Sequence, residues 1–431
     1  MSIFIIVSFV FLVSYAQETV IPAKIIEENG SYKLYRGGEP YYVNGAVGGQ
    51  DLELLTSIGG NSIRMGCGRN AKANLDRAHE LGLSVLLNVR FGAEWRGFDY
   101  DDKEAVAEQL EIIRQDVLKY KDHPALLMWG IGNELTVWYT NPKMWDALND
   151  VSKMIHELDP NHPTTTHLPY TEIIPGHSDS FKKRDIDLIK ERCADLDLLC
   201  FNVYFKPYIV PDPVRKFGWD KAYLVTEWGP SGDWMAPQTE WGVPIEETST
   251  EKAKSIIHRY KEIIEKDTKQ CLGSYVFYWG QRQETTHTWY NLFLESGEPT
   301  EIVDAMQYLW TDKWPKERAP HIDSLHVNGK SAYDNVYLNP NKSCVAQVFS
   351  DNVNFNKIKV AWEIYHESTD IKAGGAREEK PPLVEEFKYR NNPILQFNAP
   401  EKEGAYRIFV TLKDEKLNRV ATGNVPFFVK Q

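Results

Sequence analysis

Cysteine is scarce in this 431-residue chain, which has five: Cys67, Cys193, Cys200, Cys271 and Cys344, with no C-x-x-C pair among them. That spacing excludes a zinc ribbon and a disulfide-built scaffold, so they read as small core residues, with Cys193 and Cys200 the one pairing left open. Basic charge is short as well: 49 Lys and Arg stand against 61 Asp and Glu, a net −12. A nucleic-acid partner needs the opposite sign over a broad surface and is not expected. The acidity lies before residue 318, since residues 318–431 hold 16 basic and 14 acidic residues. Such a field disfavours sulfated or uronic polymers and leaves a neutral substrate as the expectation.

Long apolar runs are also missing. The N-terminal stretch from Ile3 to Val13 has 11 residues, against the ~20 that a membrane-spanning helix needs. Its length suits the apolar region of a secretory signal, with the small residues Ser14 and Ala16 at a cleavage spacing. Residues 1–16 are therefore expected to be a signal peptide, giving a secreted or periplasmic protein with no transmembrane span in its mature form. The lack of Lys or Arg ahead of the run leaves a buried first helix as the alternative, and no cysteine near Ala16 could take a lipid. No H-E-x-x-H, EF-hand loop or Gly-rich nucleotide loop is present, so neither a metal nor a cofactor is implied.

What is present is alternation. From residue 41 to 312, short β-branched runs at 41–49, 62–66, 84–92, 125–134, 163–169, 196–204, 222–229 and 272–280 are separated by amphipathic stretches such as KEAVAEQLEIIRQDVLKY and EKAKSIIHRYKEIIEK. Eight βα repeats predict a (β/α)8 TIM barrel, an α/β fold, over residues 17–316; an open doubly wound sheet would call for a Gly-rich turn after its first strand. After residue 317 the period changes to 2, with turn residues between runs, which predicts an immunoglobulin-like β-sandwich over 317–431. Twelve of the 13 Trp precede it, so it reads as a structural or spacer domain, with ancillary glycan binding as the alternative. KAGGAREEKPP (372–382) reads as a loop.

In a barrel of this kind the active site lies where the strands end at the C-terminal face. Glu134 closes the fourth strand in WGIGNE and Glu227 the seventh in AYLVTEWG. A carboxylate at the end of an apolar strand is costly unless it is paired or functional. The loop aromatics Trp95, Trp138, Tyr139, Trp234, Trp241, Trp279 and Trp289 are either sugar-stacking faces or core. His167, at the end of the fifth strand, either reaches a sugar hydroxyl or is a satisfied structural histidine. Glu94, Asp99 and Glu284 are either hydroxyl ligands or solvated charge.

G-N-E at 132–134 and T-E-W-G at 226–229 resemble the acid/base and nucleophile motifs of the clan A retaining glycoside hydrolases, and the resemblance covers about residues 41–312. It implies that Glu134 is the acid/base and Glu227 the nucleophile, a carboxyl pair for cleavage through an oxocarbenium-like transition state. Asn133 would contact the 2-hydroxyl, Arg64 and Tyr204 would orient Glu227, and Trp138 and Trp279 would stack on sugar rings. A barrel followed by one immunoglobulin-like domain looks most like the secreted endo-β-1,3-glucanases of glycoside hydrolase family 158, whereas the multidomain exo-acting enzymes carry a sandwich ahead of the barrel. The substrate implied is an oligo- or polysaccharide. An exo-β-mannosidase or β-galactosidase and an idle glycan-binding protein are the alternatives.

Overall fold

The structure, a computed structural model, describes residues 19–169, 183–204, 218–351, 353–372 and 375–430; the expected signal segment lies outside the described residues. Three short antiparallel strands come first: β1 Ala23–Glu28, β2 Ser31–Arg36 and β3 Glu39–Tyr41. Their turns fall at Asn29-Gly30 and Gly37-Gly38, all four at positive φ, the geometry that N-G and G-G pairs supply in two-residue hairpins. This small sheet closes the barrel's lower end. Ala23 and Leu34 pack on the inward Val43, Leu86, Met128 and Leu224, and Ala23, Tyr32 and Arg36 bond to the backbone of Asn161, Lys269 and Pro124, just ahead of barrel strands.

The next eight strands are β4 Val43–Gly48, β5 Ser62–Gly66, β6 Ser84–Val89, β7 Leu126–Ile131, β8 Thr164–Pro169, β9 Leu198–Val203, β10 Tyr223–Trp228 and β11 Cys271–Trp279. All pair in parallel, and β9 with β10 and β11 with β4 complete a closed barrel. The described helices around it are α1 Leu52–Ser57, α2 Ala71–Glu80, α3 Lys103–Tyr120, α4 Lys143–Leu158, α5 Lys183–Arg192, α6 Ser249–Arg259 and α7 Glu301–Thr311. The α4 helix shows the cause: Met144, Trp145, Leu148, Val151 and Ile155 recur at helical spacing and are buried against the barrel. A capping box starts α6, in which Thr248 Oγ1 accepts from Glu251 N (3.2 Å) and Glu251 accepts from Thr248 N (2.7 Å). No helix among the described residues is long and apolar enough to cross a membrane.

The C-terminal strands are β12 Ser324–Val327, β13 Val336–Leu338, β14 Ser343–Phe349, β15 Lys359–His366, β16 Leu383–Arg390, β17 Ile394–Asn398, β18 Gly404–Asp414 and β19 Arg419–Val429. They form a β-sandwich of two sheets, ordered β12-β14-β17 and β13-β19-β18-β15-β16, around one apolar core. The open doubly wound sheet is excluded. All five cysteines are buried and unbridged; Cys200 bonds to Thr165 inside the barrel and Cys193 to the Trp145 carbonyl, so the pairing left open by spacing does not form.

Candidate active site

The carboxyl ends of β4 to β7 and of β9 to β11 converge on a cavity of about 720 Å³. On β10, Glu227 carries the densest set of contacts. Its Oε1 accepts from Arg64 Nη1 (2.6 Å) and its Oε2 from the Tyr204 hydroxyl (2.9 Å). Arg64, on β5, is buried and also gives Nη2 to Asn133 Oδ1 (2.6 Å) and Nη1 to the Thr226 carbonyl (3.3 Å). One guanidinium thus fixes both the β10 carboxylate and the residue beside Glu134, in the forked geometry that Arg favours.

Glu134 follows β7 in a turn where Gly132 (φ 69°) and Glu134 (φ 52°) are both left-handed. That conformation is uncommon for Glu and aims its carboxyl away from the strand direction, a form of strain that clusters at functional sites. Its N–H is held by the His167 carbonyl (2.8 Å) and its Oε1 by Asn202 Nδ2 (3.0 Å). Desolvation, then the charge of Glu227, raise the Glu134 carboxyl to about 7 despite the opposing Asn202 bond. Two like residues therefore sit in unlike surroundings.

His167 does not reach the cavity. Its ring is fully buried: Nδ1 lies 3.0 Å from Thr226 Oγ1, and Asn88, with its amide oriented to suit both neighbours, donates to Nε2 (2.9 Å) and accepts from Arg64 Nη2 (3.1 Å) and Nε (3.2 Å). Burial, then the Arg64 charge, hold the imidazole well below its usual range, so it is neutral. Thr226 in turn donates to Asn202 Oδ1 (3.1 Å). His167 is thus a positioning residue behind Arg64 and Glu227, not a sugar contact. Gly130 makes room for it, because a Cβ there would stand 2.1 Å from Asn88 Oδ1 and 2.6 Å from His167 Nε2.

Trp279 is the second correction. Its indole is fully buried against Phe293 (5.1 Å) and Trp310 (6.2 Å), so it is core. The β11 residues that line the cavity are Phe277 and Tyr278. Trp138 (50% exposed) and Trp234 (43% exposed) do present open faces there. Trp289 is buried, Trp241 packs on Tyr337 and Phe428 of the sandwich, Trp95 packs on the core, and Tyr139 bonds to Asp185. Glu94 accepts from the backbone at Thr140 and Asn141, and Asp99 caps the Asp101 N–H (2.8 Å). Glu284 lies in the cavity.

Sequence reasoning missed Asn202 and Asn88. Each is a lone polar residue near the end of an otherwise apolar strand, the same signal that marked the two glutamates.

With this geometry in view, residues 46–215 match the family model for the glycosyl hydrolases family 2 TIM barrel domain. The matched stretch, which runs from β4 past β9, is thus similar to a glycoside hydrolase barrel. A β-glucuronidase from Paenibacillus borealis is 23% identical over 208 residues, 46% of this chain and 32% of that protein. Among solved structures, a calcium-binding mutant of Bacteroides uniformis β-glucuronidase 2 superposes with a TM-score of 0.51 at 14% identity, over 95% of this chain and 48% of that one. A β-glucuronidase from an uncultured Clostridium sp. gives 0.50 at 18% identity, over 68% and 54%. These structural likenesses concern the fold alone, and the chain spans about half the length of those structures and a third of the Paenibacillus protein.

Proposed function

We propose that this chain is a retaining β-glycoside hydrolase that cleaves a neutral polysaccharide internally, an endo-β-1,3-glucanase on laminarin-type glucan in its narrowest form. The observation that carries the reading is the asymmetry of the two carboxyls: burial and Glu227 raise Glu134 to about 7, while Glu227 accepts hydrogen bonds from the Arg64 guanidinium (2.6 Å) and the Tyr204 hydroxyl (2.9 Å). Unlike surroundings for two carboxyls assign the acid and the nucleophile.

In the first step Glu227 attacks the anomeric carbon while protonated Glu134 gives its proton to the departing oxygen. Water then cleaves the glycosyl ester with Glu134 as base, which returns the configuration to its starting hand. Asn133 has its Oδ1 committed to Arg64 and Asn202, so what it offers a 2-hydroxyl is its amide N–H. Open aromatic faces at Trp138 and Trp234 suit the apolar faces of flanking rings.

Neutrality of the substrate is supported by the cations. Among the described residues lining the cavity, Arg64 is held by Glu227 and Asn133, Arg282 by Glu284 and the Gly375 carbonyl, and Lys372 by Asp370 and the Arg377 carbonyl. Internal cleavage is supported by length: a second cavity of about 700 Å³, lined in part by Arg90, Phe91 and Phe98, shares Gly66, Asn88 and Asn133 with the first. The sandwich's strand order supports an immunoglobulin-like assignment, and the barrel-plus-sandwich architecture supports the family 158 reading of linkage. The apolar 3–13 stretch supports export.

An exo-β-glucuronidase is the second reading, favoured by the names of the relatives; its uronate would need a free cation, for which Arg90 and Arg96 of the adjoining cavity are the candidates. Product analysis on β-1,3-, β-1,4- and mixed-linkage glucans, mannan and aryl β-glucuronides separates the two. Oligosaccharides of several lengths in the first minutes are expected. Monosaccharide alone, or turnover confined to the glucuronide, would sink the endo-glucanase reading. Glu134→Ala and Glu227→Ala should each lower kcat by several orders of magnitude.

A further inference from the structure

One wall of the catalytic cavity does not come from the barrel. Ile371, Lys372, Gly375 and Glu378, on the loop joining β15 to β16 of the sandwich, line the same space as Glu134 and Glu227. The loop is braced on the barrel segment after β11. Glu378 is buried (4% exposed) and accepts from the Thr285 N–H through Oε2 (2.6 Å) and from the Lys372 N–H through Oε1 (3.0 Å). The Gly375 carbonyl accepts from Arg282 Nη2 (2.5 Å), and Arg282 Nε meets Glu284 Oε2 at 3.1 Å.

The rest of that barrel segment is fastened to the sandwich's body. His287 packs on Tyr365 and Phe409. Glu246 draws together Thr286 (2.6 Å) and Thr288 (2.8 Å) from the segment, Lys252 from α6 (2.5 Å) and Asn424 from β19 (2.7 Å). Lys372, Gly375 and Glu378 are held in place by these bonds, and a preorganised wall gives binding energy without the cost of ordering it.

The chemistry of the wall is that of hydroxyl recognition. Glu227, Asp233, Glu284 and Glu378 are close enough that burial, then the other three charges, raise Glu284 to about 7 against the pull of Arg282. Glu284, raised by this crowding, can give as well as accept a hydrogen bond, as sugar hydroxyls do, and the cluster repels an anion. Ile371, 53% exposed at this wall, adds an apolar surface for a ring face.

We propose that the β15–β16 loop is part of the substrate-binding site, forming with the Arg282–Glu284 pair a subsite that reads the hydroxyls of a neutral sugar ring flanking the one attacked. The proposal rests on the reading of the cavity as a β-glycoside cleft, and makes the sandwich a determinant of specificity rather than a spacer.

The test uses the full chain carrying Glu134→Gln, which stops turnover, titrated by calorimetry with hexasaccharides of β-1,3-glucan, β-1,4-glucan and β-1,4-mannan. Adding Ile371→Ser or Glu378→Ala should weaken the tightest of the three about tenfold. Ile371 is exposed, so its variant should keep the parent Tm, which separates a lost contact from a lost fold. With Glu134 restored, the ratio of kcat/KM on the hexasaccharide to that on an aryl monoglycoside should fall by a similar factor. Unchanged affinity in Ile371→Ser overturns the proposal whatever Glu378→Ala does, and so does failure of all three hexasaccharides to bind. Inactivity of the unmodified enzyme on every glycoside, with the affinity difference intact, would remove the catalytic reading and leave the subsite standing.

Discussion

Glu134 and Glu227 differ in what surrounds them, and each difference traces to a named neighbour. As the proposed acid, Glu134, raised to about 7, can give its proton only below that pH, so kcat/KM should decline as pH rises through about 7. The same shift is a statement about stability. A carboxyl raised above its unfolded value favours the fold most below that value, and the contribution is lost as pH rises through about 7. Glu134→Gln should therefore melt higher than the parent at pH 8, with the gain shrinking toward pH 5; an equal Tm difference at both pH values would contradict the assignment. At this scale the sequence was legible where a charged residue ended an apolar strand, as at 134 and 227. It was not legible at His167, Asn88 and Asn202, because which face of a strand a polar group serves depends on partners 24 to 79 residues away.

Among the elements, the barrel strands were the clearest to read, since buried parallel strands are near-continuous apolar runs. β1 to β3 went unread although N-G and G-G mark their turns, because each strand is short and half-polar. The β11 strand shows the limit of strand-end reasoning. Phe277 and Tyr278 both line the cavity while Trp279 does not, so simple alternation fails at this strand end, and only the packed structure shows that the indole faces Phe293 and Trp310. Trp279→Ala should then cost roughly 3–5 kcal/mol of stability, read as a lowered denaturant midpoint. Trp138→Ala, at an exposed cavity-lining ring, should leave the midpoint nearly unchanged and raise KM on long oligosaccharides. The reverse pattern would restore Trp279 as a binding face.

Across the whole molecule, barrel and sandwich share a buried polar network in which Asn424 of β19 donates to Glu246 of the barrel (2.7 Å). Lys252 and Glu246 are both almost fully buried and only 2.5 Å apart, and Arg407 of β18 reaches the Pro244 carbonyl (2.9 Å) and Asn424 (2.8 Å). Removing one partner strands the other, so Lys252→Met should destabilise by about 3–5 kcal/mol, seen as a drop in Tm. A loss near zero would mean that the network does not couple the domains. The 372–382 segment was legible as a loop, but its place beside Glu134 was not, since its contacts at Arg282 and Thr285 lie 93 residues away. On the proposed function, this arrangement serves one bond-making event, the attack of the β10 carboxylate. The most direct measurement is therefore trapping: the enzyme is incubated with an activated 2-deoxy-2-fluoro-β-glucoside or its laminaribiose homologue, and its peptides are mapped by mass spectrometry. The account predicts a single glycosyl adduct on Glu227; an adduct on another residue, or turnover that inverts the anomeric configuration, would contradict it.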